Sequence, residues 1–362
     1  MNIRDRHPDC DSVIALCRPG FEAECSGELV AALGTARTRS PKPARNTGLV
    51  RVGLLNLHAF DELDRGIRLS RLTFSRQLCF GLGEVAELPE RDRVTPLLEA
   101  ARAAATPFSA ILPEAADSAA GRPLSGLARR LVAPLEREFT KANLLRPKRL
   151  ALPRLHIVFA APGTAWLGLS TADNGARWPM GIPRLRMPSG APSRSTLKLA
   201  EAFLSLLDPD ELDQRLRPGQ RAVDLGAAPG GWTWQLAQRG LRVTAIDNGP
   251  MAGSVLATGM VEHVRADGFT WRPQHAVDWM VCDMVEQPGR IAALVAEWVA
   301  SGRCRQSIFN LKLPMKKRLD EVLRCQEIIH QRMRRSSIGF ELRLRQLYHD
   351  REEITGYLAQ TR

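Results

Sequence analysis

A glycine-rich turn is the first stretch whose residue types and spacing could do chemistry. In AVDLGAAPGGWTWQLAQRG, residues 222–240, a short apolar strand runs into small residues and then into a helical pattern. No Gly-Lys-Ser/Thr ending follows, so the turn does not predict a nucleoside triphosphate site. Gly226, Ala228 and Gly231 occupy the positions of a dinucleotide fingerprint, whose second glycine lets the backbone approach a pyrophosphate. Here Ala228 replaces that glycine, and the stiff Pro229 precedes Gly230, so the turn favours a ligand without phosphates.

Acidic residues follow the next two predicted strands. Asp247 ends the second strand, 21 positions after Gly226, where a carboxylate would accept hydrogen bonds from ribose hydroxyls. Asp267 comes just after the third strand. A nucleoside with an uncharged or cationic tail fits this edge best, and S-adenosylmethionine is the common cofactor of that kind. The alternative is that these aspartates only cap helices or turns.

The end of the fourth predicted strand, VDWMVCDMVE, bears on which atom is methylated. It lacks the (D/N/S)PP(Y/F) motif that is usual in enzymes acting on exocyclic base nitrogens. Strand alternation turns Cys282 into the core and Asp283 outward, which argues against an attacking thiolate.

Two lysines are the remaining chemical indication. Lys312 ends the apolar strand SIFNLKLP, where an ammonium group is costly unless it faces a ligand crevice. Lys198 lies in a predicted helix, and Glu353 starts the last predicted strand. Burial and a second cation nearby would both lower a lysine pKa, which suits removal of a proton from a sugar hydroxyl as it attacks a sulfonium methyl. The alternative for Lys312 is an ion-paired or snorkelling side chain.

These residues require a sheet that brings strand ends to one edge. Strands and helices alternate after residue 195, which predicts an α/β fold with a largely parallel, doubly wound sheet. The predicted strands are 222–226, 242–247, 261–265, 277–283, 306–312, 340–347 and 353–358. The first half of the sequence predicts two smaller α+β units, and the Pro- and Gly-rich stretch 181–195 predicts a linker.

Charge and composition favour a nucleic acid as partner and a reducing compartment, the alternative being that the basic excess only keeps the protein soluble. The 362 residues carry a formal charge of +12, and a basic excess lies between Arg122 and Arg154. Nine basic residues and two acidic ones occur there, the basic ones being Arg122, Arg129, Arg130, Arg137, Lys141, Arg146, Lys148, Arg149 and Arg154. Seven scattered cysteines, no signal peptide and no long apolar run predict a cytoplasmic protein without a membrane partner. No His/Cys spacing predicts a metal site, and no obligate protein partner is evident.

At this point the residues resemble a known set. Lys198, Asp283, Lys312 and Glu353, together with DLGAAPGGW, resemble the K-D-K-E tetrad and cofactor loop of Rossmann-type ribose 2′-O-methyltransferases. Long motifs elsewhere are similar to the bacterial ribosomal RNA large-subunit methyltransferase M family. They are LCRPGFEAEC (16–25), MGIPRLRMPSGAPSRSTLKL (180–199), DNGPM (247–251), DWMVCDMVE (278–286), FNLKLPMKKR (309–318) and RQLYHDREE (345–353).

The resemblance implies a fold, an activity and a set of residues. The implied domains are a ferredoxin-like region at 1–89, a THUMP RNA-binding domain at 90–180, the linker 181–195 and a Rossmann-like methyltransferase domain at 196–362. The implied reaction is methyl transfer from S-adenosylmethionine to the ribose 2′-hydroxyl of a cytidine in the peptidyl-transferase region of 23S ribosomal RNA, before or during large-subunit assembly. The implied cofactor residues are Ser195, Gly226, Ala228, Pro229, Gly230, Gly231, Asp247, Asp267 and Asp283.

In the implied mechanism Lys312 accepts the proton, while Lys198 and Glu353 orient it and the ribose. Glu352 competes with Glu353 for the tetrad position, and the strand pattern that follows favours Glu353. Two other functions stay open. One is a methyltransferase for small molecules or proteins, and the other is a non-catalytic RNA-binding factor with a vestigial methyltransferase fold.

Overall fold

The structure, a computed structural model, describes residues 8–39 and 42–361. The chain divides between Ile182 and Pro183 into two units, each built around its own sheet. No helix within the described ranges is long and apolar enough to cross a membrane. The division falls at the start of the predicted linker, and residues 182–194 contain no helix or strand.

The N-terminal unit contains a six-stranded sheet. Its elements are β1 (Asp9–Cys17), α1 (Glu22–Leu33), β2 (Leu49–Ala59), α2 (Phe60–Gly66), β3 (Ser75–Val85), α3 (Val94–Arg102), β4 (Ala110–Glu114), α4 (Gly121–Lys141), β5 (Arg154–Ala161) and β6 (Thr164–Ser170). The strand order is β2-β1-β3-β6-β5-β4, and only β4 and β5 pair in parallel. Because β3 pairs with β6, strands on both sides of residue 89 belong to the same sheet.

The C-terminal unit contains a seven-stranded sheet. Its elements are α5 (Ser195–Leu206), α6 (Pro209–Arg215), β7 (Arg221–Leu225), α7 (Gly231–Ala237), β8 (Arg242–Ile246), α8 (Gly253–Leu256), β9 (Val261–Val264), β10 (Val277–Cys282), α9 (Pro288–Ala300), β11 (Cys304–Lys312), α10 (Arg318–Ser336), β12 (Phe340–Arg345) and β13 (Glu353–Gln360). The strand order is β12-β13-β11-β10-β7-β8-β9. This is the predicted α/β fold with a Rossmann-like sheet.

The direction of the strands determines which residues share an edge. Strands β7 to β11 run in parallel, so their C-terminal ends lie on one edge of the sheet. Strand β13 runs antiparallel to β11 and therefore begins where β11 ends. Residues after β10, at the end of β11 and at the start of β13 consequently come together.

Helix α5 is held on the sheet by a regular apolar stripe. Leu199, Ala202, Phe203 and Leu206 recur at helical spacing and are buried. The ring of Phe203 meets the ring of Trp279 edge-on, with centroids 5.6 Å apart, a geometry worth about 0.5–1.5 kcal/mol beyond the buried area. Helix α5 is thereby fixed relative to β10.

Candidate active site

Four charged side chains from separate elements meet at the edge of the C-terminal sheet. The Nζ of Lys312 lies 2.7 Å from Oδ1 of Asp283 and also contacts Oε2 of Glu353. The Nζ of Lys198 contacts Oε1 of Glu353 and lies 3.6 Å from Oδ2 of Asp283. Each ammonium group therefore touches both carboxylates, and the four groups form a closed ring of alternating charge.

The strand pattern explains which carboxylate enters this ring. Glu353 is the first residue of β13, and its side chain is 7% exposed. The preceding Glu352 is 52% exposed and instead accepts a 2.6 Å bond from Arg318. Of the two candidates, the structure brings only Glu353 to Lys198 and Lys312.

The pKa of Lys312 differs from the prediction. Burial of the ammonium group acts to lower this pKa, as expected from the sequence, but the net shift is upward. The reason is that the carboxylates of Asp283 and Glu353 both lie against Lys312 and favour its charged form more strongly. Burial lowers the pKa as predicted, but the predicted net lowering is wrong for this state, because the two carboxylates outweigh burial.

Cys282 and Asp283 take opposite sides of the strand end. The thiol of Cys282 is buried, and burial raises its pKa to about 12. A thiol held protonated in the core is not a nucleophile. Asp283 lies one residue past β10 and faces the two lysines.

The glycine turn lies on the same edge, between β7 and α7. Gly226 has φ of +77°, and a Cβ there would lie 2.5 Å from Cγ of Met284. Gly231 begins α7, where a Cβ would lie 2.1 Å from Oγ of Ser195. Glycine is required at both positions, at Gly231 because the start of α5 approaches so closely. Ser195 therefore packs directly against the turn, as a cofactor residue would have to do.

The remaining predicted cofactor residues brace the turn itself. The Ala228 N–H donates to Oδ2 of Asp247 at 3.0 Å, and the Gly249 N–H donates to Oδ1 at 2.7 Å. Pro229 follows Ala228 through a cis peptide bond, and Gly230 is the N-cap of α7. Asp247 thus orients the turn directly.

Asp267 differs from Asp247 in being exposed. Its Oδ1 accepts a 2.9 Å hydrogen bond from the Phe269 N–H, so in this structure the carboxylate caps its own turn. Within the described ranges, no group of three or more His, Cys, Asp or Glu residues is arranged to hold a metal ion.

Asp224 is a buried acid that the predicted site residues do not include. Its Oδ2 accepts a 2.6 Å hydrogen bond from Thr233, while Oδ1 has no hydrogen-bond partner among the described residues. Burial raises its pKa to about 7, with further contributions from the charges of Asp283 and Asp247. The one polar residue in the apolar run AVDL was the available signal.

Three carboxylates lie near the turn and suit a cationic ligand, although one of them, Asp283, already pairs with the two lysines. Asp224, Asp247 and Asp283 can only accept hydrogen bonds when ionised, and their mutual repulsion is relieved by a cation. S-Adenosylmethionine brings a sulfonium ion, an ammonium group and ribose hydroxyl donors. The donor set therefore fits this cofactor.

The basic segment of the N-terminal unit is exposed except at its end. Eight of the nine basic residues between 122 and 154 are exposed, most of them on α4. Arg154 is the exception, because its guanidinium group donates to Oγ of Ser170 and to the carbonyl oxygens of Thr171 and Ala176. It holds the segment after β6 in place.

Comparison with protein families defines the class. A family model described as FtsJ-like methyltransferase matches residues 191–323. One described as ribosomal RNA large subunit methyltransferase M, N-terminal, matches residues 92–171, and an RlmM ferredoxin-like domain matches residues 10–79. With the Rossmann-like sheet and the site above, these matches define an S-adenosylmethionine-dependent methyltransferase.

Relatives of nearly equal length define the family more narrowly. The chain is 54% identical to a protein of Aromatoleum aromaticum over 353 residues, which cover 96% of this chain and 94% of that protein. It is 52% identical to a protein of Azoarcus sp. over 356 residues, which cover 96% and 95%. Both relatives are named ribosomal RNA large subunit methyltransferase M. The chain belongs to the ribosomal RNA large subunit methyltransferase M family.

Proposed function

We propose that the protein methylates the ribose 2′-hydroxyl of a cytidine in the peptidyl-transferase region of 23S ribosomal RNA, with Lys312 as proton acceptor. The observation that carries this proposal is the closed ring of Lys198, Asp283, Lys312 and Glu353 beside the glycine turn. A base nitrogen would need no proton acceptor of this strength, whereas an alcohol must lose its proton to become an ether. The family names support ribosomal RNA as the substrate.

The cofactor residues keep the roles that their geometry allows. S-Adenosylmethionine supplies an electrophilic methyl group on a sulfonium ion. The cofactor site would be lined by Gly226 to Gly231 and by Ser195. Asp247 would hold the turn and also accept a hydrogen bond from a ribose hydroxyl group of the cofactor. Asp224 and Asp283 would balance the positive charge. Asp267, being exposed, would contact the outer part of the nucleoside.

The proton must leave the 2′-oxygen as the O–CH3 bond forms and the S–CH3 bond breaks. Lys312 can accept this proton only when its side chain is a neutral amine. The pKa of Lys312 must therefore fall from the raised value that it has in the free protein. A cation brought next to Lys312 would have that effect, whereas Lys198 already contacts Glu353 in the free protein and does not produce it alone. Lys198 and Glu353 would then orient the Lys312 amine towards the ribose.

Two surfaces would hold the RNA. The eight exposed basic residues of the N-terminal unit would contact phosphates, which position an RNA without reading its sequence, and this is the role proposed for a THUMP domain at 90–180. Near the ring, Val285 is 90% exposed and Met315 is 78% exposed, the two highest values among the large apolar side chains described. They lie two and three residues from Asp283 and Lys312, and we expect them to contact nucleobases beside the target.

The test is to map methylation on ribosomal RNA incubated with the purified protein and S-adenosylmethionine, using both protein-free 23S ribosomal RNA and assembled large subunits. The expected product is one 2′-O-methylcytidine in the peptidyl-transferase region, on RNA not yet assembled into the subunit. A methyl group on a base would overturn the assignment of the 2′-oxygen. Methylation of proteins or small molecules with no RNA product would favour the first alternative function. Failure to bind S-adenosylmethionine in calorimetry would favour the non-catalytic one.

A further inference from the structure

Three buried polar side chains extend from Asp283 into the core, and the first of them contacts Oδ1 of Asp283, the oxygen that Lys312 also contacts. Asn310 is on β11, Thr355 is on β13 and Asp350 precedes β13; their exposed fractions are 0%, 0% and 1%. They lie on the core side of the ring, so substrate and cofactor need not touch them. A role of Asn310, Thr355 and Asp350 in methyl transfer rests on the proposed role of Asp283 in the ring.

The orientation of Asn310 follows from its partner. Its Nδ2 donates to Oδ1 of Asp283 at 2.8 Å. An ionised carboxylate can only accept, so the amide NH2 group must face Asp283 and the amide oxygen must face away. That oxygen, Oδ1, lies 2.7 Å from the hydroxyl of Thr355.

Thr355 has only one hydrogen to give. Its Oγ1 lies 2.7 Å from Oδ1 of Asn310, and 3.1 and 3.0 Å from Oδ1 and Oδ2 of Asp350. Among the described residues, no other side chain donates to Oδ1 of Asn310. A buried oxygen without a donor is costly, so the hydroxyl hydrogen belongs to Asn310.

The oxygen of Thr355 then needs a donor from Asp350, and only a protonated carboxyl group can provide one. The backbone N–H of Leu347 donates to Oδ2 of Asp350 at 2.9 Å, which leaves Oδ1 to carry the proton. The hydrogen-bond directions along the chain are thus fixed from both ends.

The charges around Asp350 agree with a neutral acid. Burial raises its pKa to about 8, and the nearby carboxylates of Glu353 on β13 and Glu201 on α5 act in the same direction. The Leu347 N–H and the ammonium group of Lys198 on α5 act in the opposite direction and do not outweigh them.

We propose that Asp350, Thr355 and Asn310 form a one-way hydrogen-bond chain that starts on a neutral carboxylic acid and holds the Asp283 carboxylate towards the two lysines. All three are positioning residues. When Asp350 loses its proton, the Thr355 hydrogen turns to the new carboxylate, and the amide oxygen of Asn310 loses its donor. The orientation of Asp283 then weakens. The chain therefore makes methyl transfer depend on the protonation of a group that never meets the substrate.

Thr355→Val and Thr355→Ser separate the hydroxyl from the shape of the side chain. Valine has the shape of threonine and suits a strand, so Thr355→Val should fold while breaking the chain. We expect its kcat for methyl incorporation into ribosomal RNA to fall roughly 10- to 100-fold, about the loss found when a hydrogen-bond partner that orients a functional side chain is removed. Thr355→Ser keeps the hydroxyl and should keep the kcat of the wild type. Ser307→Ala, which removes another buried hydroxyl from β11, the strand of Asn310, is the matched control and should leave kcat unchanged.

The pH profile of Asp350→Asn tests the protonation state. The asparagine side chain of this variant imitates the neutral acid, because its amide can donate to Thr355 at every pH. The kcat of the wild type should decline above about pH 8, and that decline should disappear in Asp350→Asn. The proposed hydrogen-bond chain would be refuted by equal kcat values of Thr355→Val and Thr355→Ser. It would also be refuted if the kcat of Asp350→Asn still declined at alkaline pH.

Total methyl incorporation, thermal unfolding and S-adenosylmethionine affinity should be measured for every variant. Incorporation is independent of which RNA atom receives the methyl group, so a product on a base would refute the proposed function while these comparisons still test the chain. If the wild type transfers no methyl group to RNA, the proposed function fails by itself. The chain then remains testable through S-adenosylmethionine affinity: the chain predicts weaker binding in Thr355→Val than in Thr355→Ser, and equal affinities would overturn it.

Discussion

Lys312 and Glu353 are paired directly across the antiparallel register of β11 and β13. One is the last residue of its strand and the other is the first, so the ladder between the strands sets their opposite charges side by side. A one-residue slip would place Glu352 or Ile354 opposite Lys312 and turn every β13 side chain to the other face of the sheet. The contact is therefore fixed by strand pairing in the core and not by a flexible loop.

Substitutions of the adjacent residues Glu352 and Glu353 give the most direct comparison of activity. Glu353→Gln removes a charge that both lysines contact, leaving Asp283 alone to balance two ammonium groups. We expect kcat to fall at least about 100-fold, since a partly buried charge network loses a member. Glu352→Gln removes only the pair between this exposed carboxylate and Arg318 and should retain activity. Equal losses in the two variants would refute the assignment of Glu353 to the ring.

Substitution of Lys312 distinguishes proton acceptance from charge placement. Arginine keeps a positive charge but does not deprotonate in proteins, and methionine keeps only the length of the side chain. If Lys312 accepts the proton, Lys312→Arg and Lys312→Met should both abolish methyl transfer while calorimetry still detects S-adenosylmethionine binding. Substantial activity in Lys312→Arg would mean that the residue orients the ribose as a cation and that the proton goes elsewhere.

The packing of the glycine turn predicts a defect in cofactor binding. In Gly231→Ala the new methyl group would meet Oγ of Ser195 and lie 3.0 Å from the backbone nitrogen of Thr196, so the first turn of α5 would have to shift. Overpacking of this kind costs about 1–3 kcal/mol of unfolding free energy, and the affinity for S-adenosylmethionine should fall as well. In Gly253→Ala the methyl group meets nothing within 4 Å, so this variant is the control. Urea unfolding and calorimetry on both variants would test the difference.

The buried Asp224 predicts how stability changes with pH. Its pKa is about 7 in the folded protein and 3.8 as the ordinary value, so the folded state holds a proton that the unfolded state has lost. The unfolding free energy of the cofactor-free protein should therefore fall as pH rises from about 4 to above 7, by at most about 1.4 kcal/mol per pH unit from this group. Asp224→Asn should flatten that slope in urea titrations from about pH 5 to 8. The same slope in both proteins would contradict a raised pKa.

The exposed apolar side chains near the ring predict an effect on RNA alone. Val285→Ser and Met315→Ser should raise the KM for ribosomal RNA without changing the affinity for S-adenosylmethionine, because neither side chain is packed in the protein. Leu57→Ser, on β2 and 65% exposed, is the matched control. An unchanged KM in the double variant would exclude a nucleobase contact at this position.

Sequence patterns were sufficient to predict where a residue lies when its position depends only on the strand to which it belongs. The parallel strands were predicted to within about two residues at each end, and parallel strand ends must meet at one edge, which is why Asp283 and Lys312 could be placed together. The assignment of Glu353 needed the family resemblance as well, because alternation alone left Glu352 open.

What could not be predicted depends on pairing between strands. The contacts from Asp350 through Thr355 to Asn310 exist only because β13 is antiparallel to β11 in one particular register. The predicted direction of the Lys312 pKa shift was wrong because the shift depends on ångström-scale distances to two carboxylates. Spacing along the sequence does not give those distances. Asp224 was missed as a site residue because burial beneath α7, and not its place in a motif, gives it its properties.

The ring also imposes an order on the making of the protein. The ribosome synthesises the glycine turn and Asp247 more than a hundred residues before Glu353, so a nascent chain possesses the turn for the methyl donor long before it possesses the carboxylate that both lysines require. In the proposed mechanism, methyl transfer must therefore await the emergence and pairing of β13.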